Sequence, residues 1–247
     1  MTVPISDTVP LSVHVVIPAH NEAELIGRCL ASVRDAAAHF RDRTGVVATV
    51  TVVADSCTDA TLEIANKYAA DALVIHARCV GRARDVGVRH VLAASAPSDV
   101  SQVWIAMTDA DSTVSRHWLE TQLRSAASGS GLWIGSVHPD PSSVSPSALG
   151  EWLSRHQPPG QPLDRLPDPL RVHGANLGFT AATFLATGGF PHIAEHEDVE
   201  FVRAALDSGC TWTVGGPTVR TSGRTQGRAP GGFAGYIRML VAELEGA

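Results

Sequence analysis

The chain has 247 residues, of which 44% are hydrophobic and 18% charged, so it can bury a sizeable core and is too apolar to be intrinsically disordered. Its formal net charge of −6 argues against nucleic acid as the main partner, because that binding depends on clustered Lys and Arg. The four cysteines are too few for a disulfide framework and lack the spacing of a zinc site, which favours a reducing, cytoplasmic location. We expect no leader sequence, and no run reaches the roughly 18 apolar residues of a membrane span.

The first half of the chain alternates short β-branched runs with amphipathic stretches, a pattern typical of βα units around a mostly parallel sheet. Buried strands are predicted at Val13–Ile17, Val47–Val53, Leu73–Ile75 and Val103–Met107. Helices are predicted between them at Glu22–Ala38, Asp59–Ala69 and Gly81–Ala94. The predicted fold class is therefore α/β, with helices flanking a mostly parallel central sheet.

The second half is less regular. A strand is predicted at Gly131–Val137, and the Pro- and Ser-rich stretch Pro139–Pro169 is interpreted as a mobile loop with a helical piece at Ala148–Arg155. The remaining predictions are a helix at Glu197–Asp207 ended by Gly209, a strand pair within Thr211–Arg220 and a closing helix at Phe233–Leu244.

Polar residues follow the first two predicted strands at their carboxyl ends. Pro18–Glu22 comes directly after the first strand, and Asp55 comes just after the second. Because ligands of open α/β sheets bind outside the carboxyl ends of the strands, we expect these residues to face one site, where Asp55 suits a hydrogen bond to a base or ribose. The alternative is that Asp55 only turns the chain and helps to cap the next helix.

Asp109 and Asp111 follow the fourth predicted strand with one residue between them. In a nearly extended backbone both carboxylates lie on one side, where they can hold a hard cation such as Mg²⁺ or Mn²⁺. Such cations are usually bound by one or two carboxylates together with substrate phosphates, so the pair implies a diphosphate ligand. The alternative is a turn in which Asp111 or Ser112 caps a helix that begins near Ser115.

An arginine-rich segment is a candidate for binding phosphate. Gly81 opens a predicted helix with Arg82 beside it, and a helix N-terminus with an arginine attracts anions. Arg84 and Arg89, further along the same helix, are predicted to lie at the surface.

Two segments of the second half carry candidate charges. Glu197 and Asp198 lie in the first turn of a predicted helix, where a carboxylate can act as a general base, although acidic residues also favour first turns without any function. Arg224 and Arg228 stand among glycines in TSGRTQGRAPGG, as in a loop that closes over phosphates or in a flexible linker.

Several ring side chains of the second half can contact a ligand. Trp133 belongs to a predicted strand, and Trp152 and His156 belong to the predicted mobile loop. These rings can stack on a sugar, and His173 can contact a ligand from the segment before a Gly-Ala-Asn turn. Each of them fits a purely structural position equally well.

The order of these segments is more specific than any one of them. The succession VVIPAHNEAELIGRCLASV, VVADSCTDAT, GRARDVG, TDADS, HGANLGFTAATFLATGGF and EHEDVEF resembles the family 2 glycosyltransferases of GT-A fold, over roughly Val13–Phe201. The tail RTQGRAPGGFAGYI is similar to that of small bacterial members. The resemblance implies one Rossmann-like GT-A domain over residues 1–247, with a nucleotide-sugar-binding half at about 11–127, an acceptor-side half at about 128–220 and a C-terminal loop and helix at 221–247.

The resemblance also implies site residues. The nucleotide pocket would be formed by Pro18, Ala19, His20, Glu22, Asp55, Gly81, Arg82, Asp109 and Ala110. The sugar and acceptor would contact Trp133, Gly174, Ala175, Asn176 and His196. Asp111 and Asp109 would hold the metal, Arg224 and Arg228 the diphosphate, and Asp198, beside Glu197, would be the catalytic base.

The activity that the resemblance implies is transfer of a sugar from a nucleotide-diphosphate-sugar, with a UDP-sugar favoured, to a hydroxyl of a soluble or small acceptor. It would require Mn²⁺ or Mg²⁺ and proceed by inverting single displacement, although a retaining relative has the same fold. The alternatives are a nucleotidyltransferase, which would release pyrophosphate, and a non-catalytic protein that binds nucleotide-sugars. The sequence leaves the oligomeric state open, a homodimer included.

Overall fold

The computed structural model describes residues 12–68, 70–95, 100–156, 172–227 and 231–246. Its strands are β1 Ser12–Ala19, β2 Ala48–Asp55, β3 Asp71–Ile75, β4 Val103–Met107, β5 Ser112–Thr113, β6 Leu132–Ile134, β7 Val137–Pro139, β8 Leu177–Thr180, β9 Trp212–Val214 and β10 Val219–Thr221. Its α-helices are α1 Ile26–Thr44, α2 Thr61–Lys67, α3 Val80–Ser95, α4 Trp118–Ala127, α5 Pro146–His156, α6 Ala181–Ala186, α7 Glu197–Asp207 and α8 Phe233–Glu245. Short 3₁₀ turns occupy Val100–Gln102 and Gly174–Asn176.

A seven-stranded sheet forms the centre of the molecule, in the order β3-β2-β1-β4-β8-β6-β9. The strands β1 to β4 pair in parallel, as the alternating pattern of the first half predicts. β8 runs antiparallel to both of its neighbours, β4 and β6. The predicted α/β class with a mostly parallel central sheet is therefore confirmed.

Helices cover both faces of this sheet, because side chains of a strand alternate between its two faces. On one face, Val13, Val15 and Ile17 of β1 pack in a core with residues of α1, α2 and α4. On the other face, Val16 joins a second core built with α3, α6 and α7. Gly87 lets α3 approach this second face closely, because a Cβ at that position would collide with the side chains of Val16 and Val53.

A second sheet of three strands, in the order β5-β10-β7, corrects two predictions. The strand predicted at Gly131–Val137 is two strands, since β6 belongs to the central sheet and β7 to the small one. The strands within Thr211–Arg220 do not pair with each other, because β9 joins β6 while β10 joins β5 and β7. Within the described residues the chain passes from the central sheet to the small sheet three times, from β4 to β5, from β6 to β7 and from β9 to β10.

The helices α2, α3, α5, α7 and α8 begin and end within two residues of the predicted positions, whereas α1, α4 and α6 do not: α1 ends at Thr44 instead of Ala38, and for α4 only a beginning near Ser115 was considered. The first helix begins at Ile26 instead of Glu22, because the Glu22 carbonyl accepts the N–H groups of Leu25 and Ile26 in a preceding turn. The helix α6 was not predicted, and it follows β8 directly with Thr180 as an N-cap that accepts the Thr183 N–H. In the described part of the chain, no helix combines the length and the apolar character that a membrane span requires.

Candidate functional site

The carboxyl ends of β1, β2 and β4 open into a cavity of about 540 Å³. The first turn of α7, the segment between β10 and α8 and the first turn of α8 close its other sides. The predicted site residues that line it are Pro18, Ala19, His20, Glu22, Asp55, Asp109, Ala110, Asp111, Gly174, Ala175, His196, Glu197, Asp198 and Arg224. Segments that are far apart in the sequence therefore meet in one place.

Asp55 is buried at the end of β2, and its carboxylate holds the loop that follows β3. It accepts the backbone N–H groups of Ala77, Arg78 and Cys79 at 2.7 to 2.9 Å. Burial acts to raise the pKa of Asp55, but these three hydrogen bonds keep it below the ordinary value. The His20 ring nitrogen Nδ1 lies 2.6 Å from the Asp55 carbonyl oxygen, so His20 is fixed against the same strand end.

Asp109 and Asp111 both reach the cavity, and each pairs with a guanidinium group. Asp109 Oδ1 lies 2.7 Å from Arg84, and Asp111 Oδ2 lies 2.9 Å from Arg224. Burial and the negative charge of Asp109 raise the pKa of Asp111 to about 6. Asp111 does not cap the next helix, which begins only at Trp118; its carboxylate accepts the Thr221 hydroxyl instead.

Arg84 is buried, with 3% of its side chain exposed, and this corrects its predicted surface position. Its Nε donates to Glu197 at 2.8 Å, one terminal nitrogen donates to Asp109 and the other to the Gly174 carbonyl. A side chain at Gly174 would occupy the place of this guanidinium. Arg89 lies as predicted, half-exposed, and pairs with Asp85 on its own helix.

Asp198 and Glu197 stand at the start of α7, in different environments. Asp198 is half-buried and accepts the Gly174 N–H at 2.6 Å and the Val199 N–H at 2.8 Å, one on each carboxylate oxygen. Glu197 is fully buried against Arg84, and its burial raises its pKa. Both line the cavity, and Asp198 is the more exposed of the two carboxylates.

Arg224 comes from the loop between β10 and α8 and crosses the mouth of the site. Its two terminal nitrogens bind the two carboxylate oxygens of Glu22 at 2.9 and 2.7 Å, and one of them also contacts Asp111. This places a cation beside the two aspartates that follow β4. Arg228, the other predicted diphosphate ligand, lies outside the described residues.

Four other predicted site residues do not line the cavity. Gly81 packs against the backbone of Pro191 and Ile193, and Arg82 beside it contacts the His192 ring on the exposed side of α3. Trp133 is buried in the core at 1% exposure. Asn176 is fully buried and binds the Trp118 indole and the carbonyls of Ser136 and Pro217, so it joins the two sheets structurally.

Several ring side chains also line the cavity, although the sequence indicates a ligand contact for them less specifically. Of the ring side chains proposed for a ligand, Trp152, His156 and His173 line the cavity. Phe233 and Tyr236 also line the cavity, from the first turn of α8. The sequence predicts this helix but does not indicate that it contributes to a site. The part of the predicted mobile loop after His156, from 157 to 169, lies outside the described residues.

Solved structures with the same fold bind nucleotide-sugars. The chain is 15% identical to TarS 1–349 of S. aureus in complex with UDP-GlcNAc, with a TM-score of 0.63 over 96% of this chain and 67% of that chain. It is 19% identical to the mannosyltransferase PcManGT of Pyrobaculum calidifontis in complex with GDP-Man and Mn²⁺, with a TM-score of 0.60 over 90% of this chain and 61% of that chain.

A third similar structure contains UDP, Mn²⁺ and phosphoglyceric acid. The glucosyl-3-phosphoglycerate synthase of Mycobacterium tuberculosis, in complex with Mn²⁺, UDP and phosphoglyceric acid, is 16% identical, with a TM-score of 0.56 over 94% of this chain and 78% of that chain. These relatives are longer: the chain spans 57% of TarS 1–349 in its UDP complex. At these identities the likeness establishes the GT-A fold.

Sequence comparison identifies the family. No curated protein matches the chain significantly. The family model described as glycosyl transferase family 2 matches residues 14–183, which is more than half of the chain and includes β1, the carboxylates that follow β2 and β4, and β8. The chain therefore belongs to glycosyl transferase family 2.

Proposed function

We propose that this chain transfers a sugar from a nucleotide-diphosphate-sugar to an acceptor hydroxyl, in a metal-dependent and inverting reaction with Asp198 as the base. The observation that carries the proposal is that Asp55, the pair Asp109 and Asp111, and Asp198 line one cavity at the strand ends. This cavity thus offers in one place a group for the nucleotide, two ligands for a cation and an accessible carboxylate.

The nucleotide belongs at the ends of β1 and β2. Pro18, Ala19 and His20 line the cavity there beside Asp55, whose carboxylate already orders the loop at 77–79. Similar structures hold UDP-GlcNAc and GDP-Man, so uridine and guanosine nucleotides are the donors to test first. We favour a UDP-sugar.

Asp109 and Asp111 fit a hard divalent cation, because both offer carboxylate oxygens and their two negative charges repel one another in the absence of a cation. Glu22 adds a third carboxylate, joined to Asp111 through Arg224. Mn²⁺ or Mg²⁺ bound by Asp109 and Asp111 would neutralise the donor diphosphate and so improve it as a leaving group.

Asp198 has the position and the free hydrogen-bonding capacity of a base. Each of its oxygens accepts one backbone N–H, which fixes the carboxylate and leaves lone pairs for a hydroxyl proton. In the proposed step the acceptor oxygen attacks the anomeric carbon, its proton moves to Asp198, and the bond from that carbon to the diphosphate breaks. The nucleoside diphosphate then leaves with the bonding electrons.

Arg224 suits the leaving diphosphate, on which negative charge grows in the transition state. Its guanidinium already lies among the carboxylates of Glu22 and Asp111. A guanidinium binds phosphate through the same planar set of donors that it uses for a carboxylate. We therefore assign it to the diphosphate end of the donor.

Asp198→Asn tests the base. A general base contributes roughly 10²- to 10⁴-fold to a rate, so we expect at least a 100-fold fall in kcat with nucleotide affinity unchanged. Turnover is measured as nucleoside diphosphate released from UDP- and GDP-sugars, and affinity by calorimetric titration with UDP and GDP in Mn²⁺ and in EDTA. The anomeric configuration of the product, read by NMR, checks inversion.

Glu200→Gln is the matched control, because Glu200 lies in the same first turn and pairs with exposed Arg203. It should keep full activity. Unchanged turnover in Asp198→Asn would remove Asp198 as the base, and equal nucleotide affinity in Mn²⁺ and in EDTA would contradict metal dependence.

A further inference from the structure

Five rings form a continuous aromatic wall on the side of the cavity next to α7: Trp152, His156, His173, Phe233 and Tyr236. The Trp152 and His156 rings, one helical turn apart on α5, stack with centroids 3.6 Å apart and an angle of 8° between their planes. Phe233 and Tyr236 of α8 approach Trp152 at 4.8 and 5.3 Å. Two helices therefore contribute one apolar surface to the cavity.

The aromatic wall adjoins the proposed base. His173 lies 6.0 Å from Trp152 and 5.9 Å from Phe233, measured between ring centroids. The next residue, Gly174, donates its N–H to Asp198. A molecule that rests on these rings therefore lies beside the carboxylate that would take its hydroxyl proton.

The aromatic wall also contains a buried polar group without a partner among the described residues. Trp152 is 1% exposed, and its indole N–H has no hydrogen-bond acceptor among the described residues. Buried indole N–H groups usually find an acceptor, because leaving one unpaired costs free energy. Burial lowers the pKa of His173 to about 4, so this imidazole is neutral at pH 7.

The charges around the cavity disfavour an anionic acceptor. Among the described residues, seven carboxylates and three guanidinium groups line it, the latter those of Arg78, Arg84 and Arg224. Arg84 and Arg224 are already paired with carboxylates, and Arg78 belongs to the loop held by Asp55. None of the five rings of the aromatic wall brings a fixed positive charge.

We propose, on the basis of the proposed function, that the acceptor is an uncharged pyranose sugar or glycoside whose flat face packs on the aromatic wall beside Asp198. The C–H face of such a ring is apolar and matches the rings, while its hydroxyl oxygens can accept the Trp152 N–H. A phosphorylated or carboxylated acceptor would instead lie beside the carboxylates of Asp198 and Glu195, which accept backbone N–H groups but form no ion pair within the described residues.

Saturation-transfer NMR on the full chain with UDP and Mg²⁺ tests this inference. The probes are methyl and 4-nitrophenyl hexopyranosides of glucose, galactose and mannose, with 3-phosphoglycerate as the anionic probe. We expect at least one neutral glycoside to bind and 3-phosphoglycerate not to bind. Tyr236→Ala and Phe233→Ala should each weaken the glycoside at least tenfold, and Trp152→Phe should weaken it while keeping the ring surface.

The chain has two tyrosines, so Tyr68→Ala, at the C-cap of α2 and outside the cavity, is the matched control and should bind like the native chain. Failure of every glycoside to bind, tighter binding of 3-phosphoglycerate, or glycoside affinity that is unchanged in both Tyr236→Ala and Phe233→Ala would overturn the inference. Calorimetry with UDP and with GDP in Mg²⁺ on the same samples separates the two proposals. Intact UDP binding with any of these results rejects the acceptor class alone, whereas a native chain that binds neither UDP nor GDP in Mg²⁺ rejects the proposed function.

Discussion

Arg84 is buried where Asp109, Glu197 and the Gly174 carbonyl meet, so its replacement leaves charges without a partner. We expect Arg84→Met to lower the free energy of unfolding by about 3 to 5 kcal/mol, the usual cost of removing one partner from a buried ion pair. Urea unfolding followed by circular dichroism measures it.

Two further variants check this account of Arg84. In Arg84→Met/Glu197→Gln one of the two unpaired carboxylates is replaced by a neutral amide, so part of the lost free energy of unfolding should be recovered. Arg89→Met removes a half-exposed arginine of the same helix and should cost at most about 1 kcal/mol. Equal losses in Arg84→Met and Arg89→Met would show that burial of the Arg84 charge does not matter.

The sequence pattern indicated which residues lie at the strand ends, but it did not indicate which side chains form ion pairs with one another. The carboxylates after β2 and β4 were placed at the strand ends by pattern alone, and they do line the cavity. The burial of Arg84 was missed because its partners Asp109 and Glu197 lie 25 and 113 residues away in the chain. Which arginine of a helix is buried depends on such distant charges and not on helical periodicity.

Among the elements, α3 packs so closely on the central sheet that one position must be glycine. In Gly87→Ala the new methyl group would meet Val16 and Val53, and such overpacking costs about 1 to 3 kcal/mol. Gly150→Ala on α5 is the control, because no atom lies within 4 Å of the added methyl. It should stabilise by roughly 0.5 to 1 kcal/mol through helix propensity. Urea midpoints that shift equally for both variants would contradict the close packing of α3.

Glu120 joins α4 to α1, since it binds His39 of α1 at 3.1 Å as well as Arg124 of its own helix. Burial acts to raise the pKa of Glu120, but hydrogen bonds from His39 and His117 and the charge of Arg124 lower it from 4.5 to about 2. A lowered pKa means that the ionised form stabilises the fold above pH 4.5 and that this contribution is lost as the pH falls through about 2.

Glu120→Gln should therefore be less stable than the native chain at pH 7, and the difference should shrink steadily between pH 4.5 and 2. Unfolding in urea at pH 7, 4 and 3 follows this trend. Glu63→Gln, which alters an exposed pair with Lys67, should leave stability unchanged at each pH. A difference between Glu120→Gln and the native chain that does not vary with pH would contradict the assignment.

Elements were predicted well where local pattern decides them. The strands β1 and β4 and the second half of β2 are apolar runs buried on both faces, and such runs are recognisable in any context. The strand β3 was predicted as a short buried strand as well, but it lies at the edge of the sheet and is partly exposed. The assignment of β7 and β10 to a small sheet was missed, because their pairing brings together segments about 80 residues apart. Three-residue strands of this kind carry no periodicity that would reveal their partner.

At the scale of the whole molecule, the cavity exists only in the folded chain, as the pairing of Glu22 with Arg224 across 202 residues illustrates. A ligand of this cavity therefore binds the native state and stabilises it. At 100 times Kd, UDP with Mg²⁺ should add about 2.7 kcal/mol and raise Tm by roughly 5 to 11 °C, as thermal unfolding would report.

Comparing the rise in Tm caused by UDP with and without Mg²⁺ tests whether the cation contributes to UDP binding. EDTA in place of Mg²⁺ should remove most of the shift, and Asp111→Asn should behave in Mg²⁺ as the native chain does in EDTA. The same rise in Tm with and without the cation would show that UDP binds this chain through the protein alone.

The loop at 77–79, of which Arg78 and Cys79 line the cavity, is held in one conformation, because the Asp55 carboxylate accepts three successive backbone N–H groups. Fixing one residue of a mobile loop costs about 1 to 2 kcal/mol of conformational entropy. In this chain that ordering occurs during folding, so a nucleotide that touches the loop meets a preorganised surface and its binding energy is not spent on immobilising it.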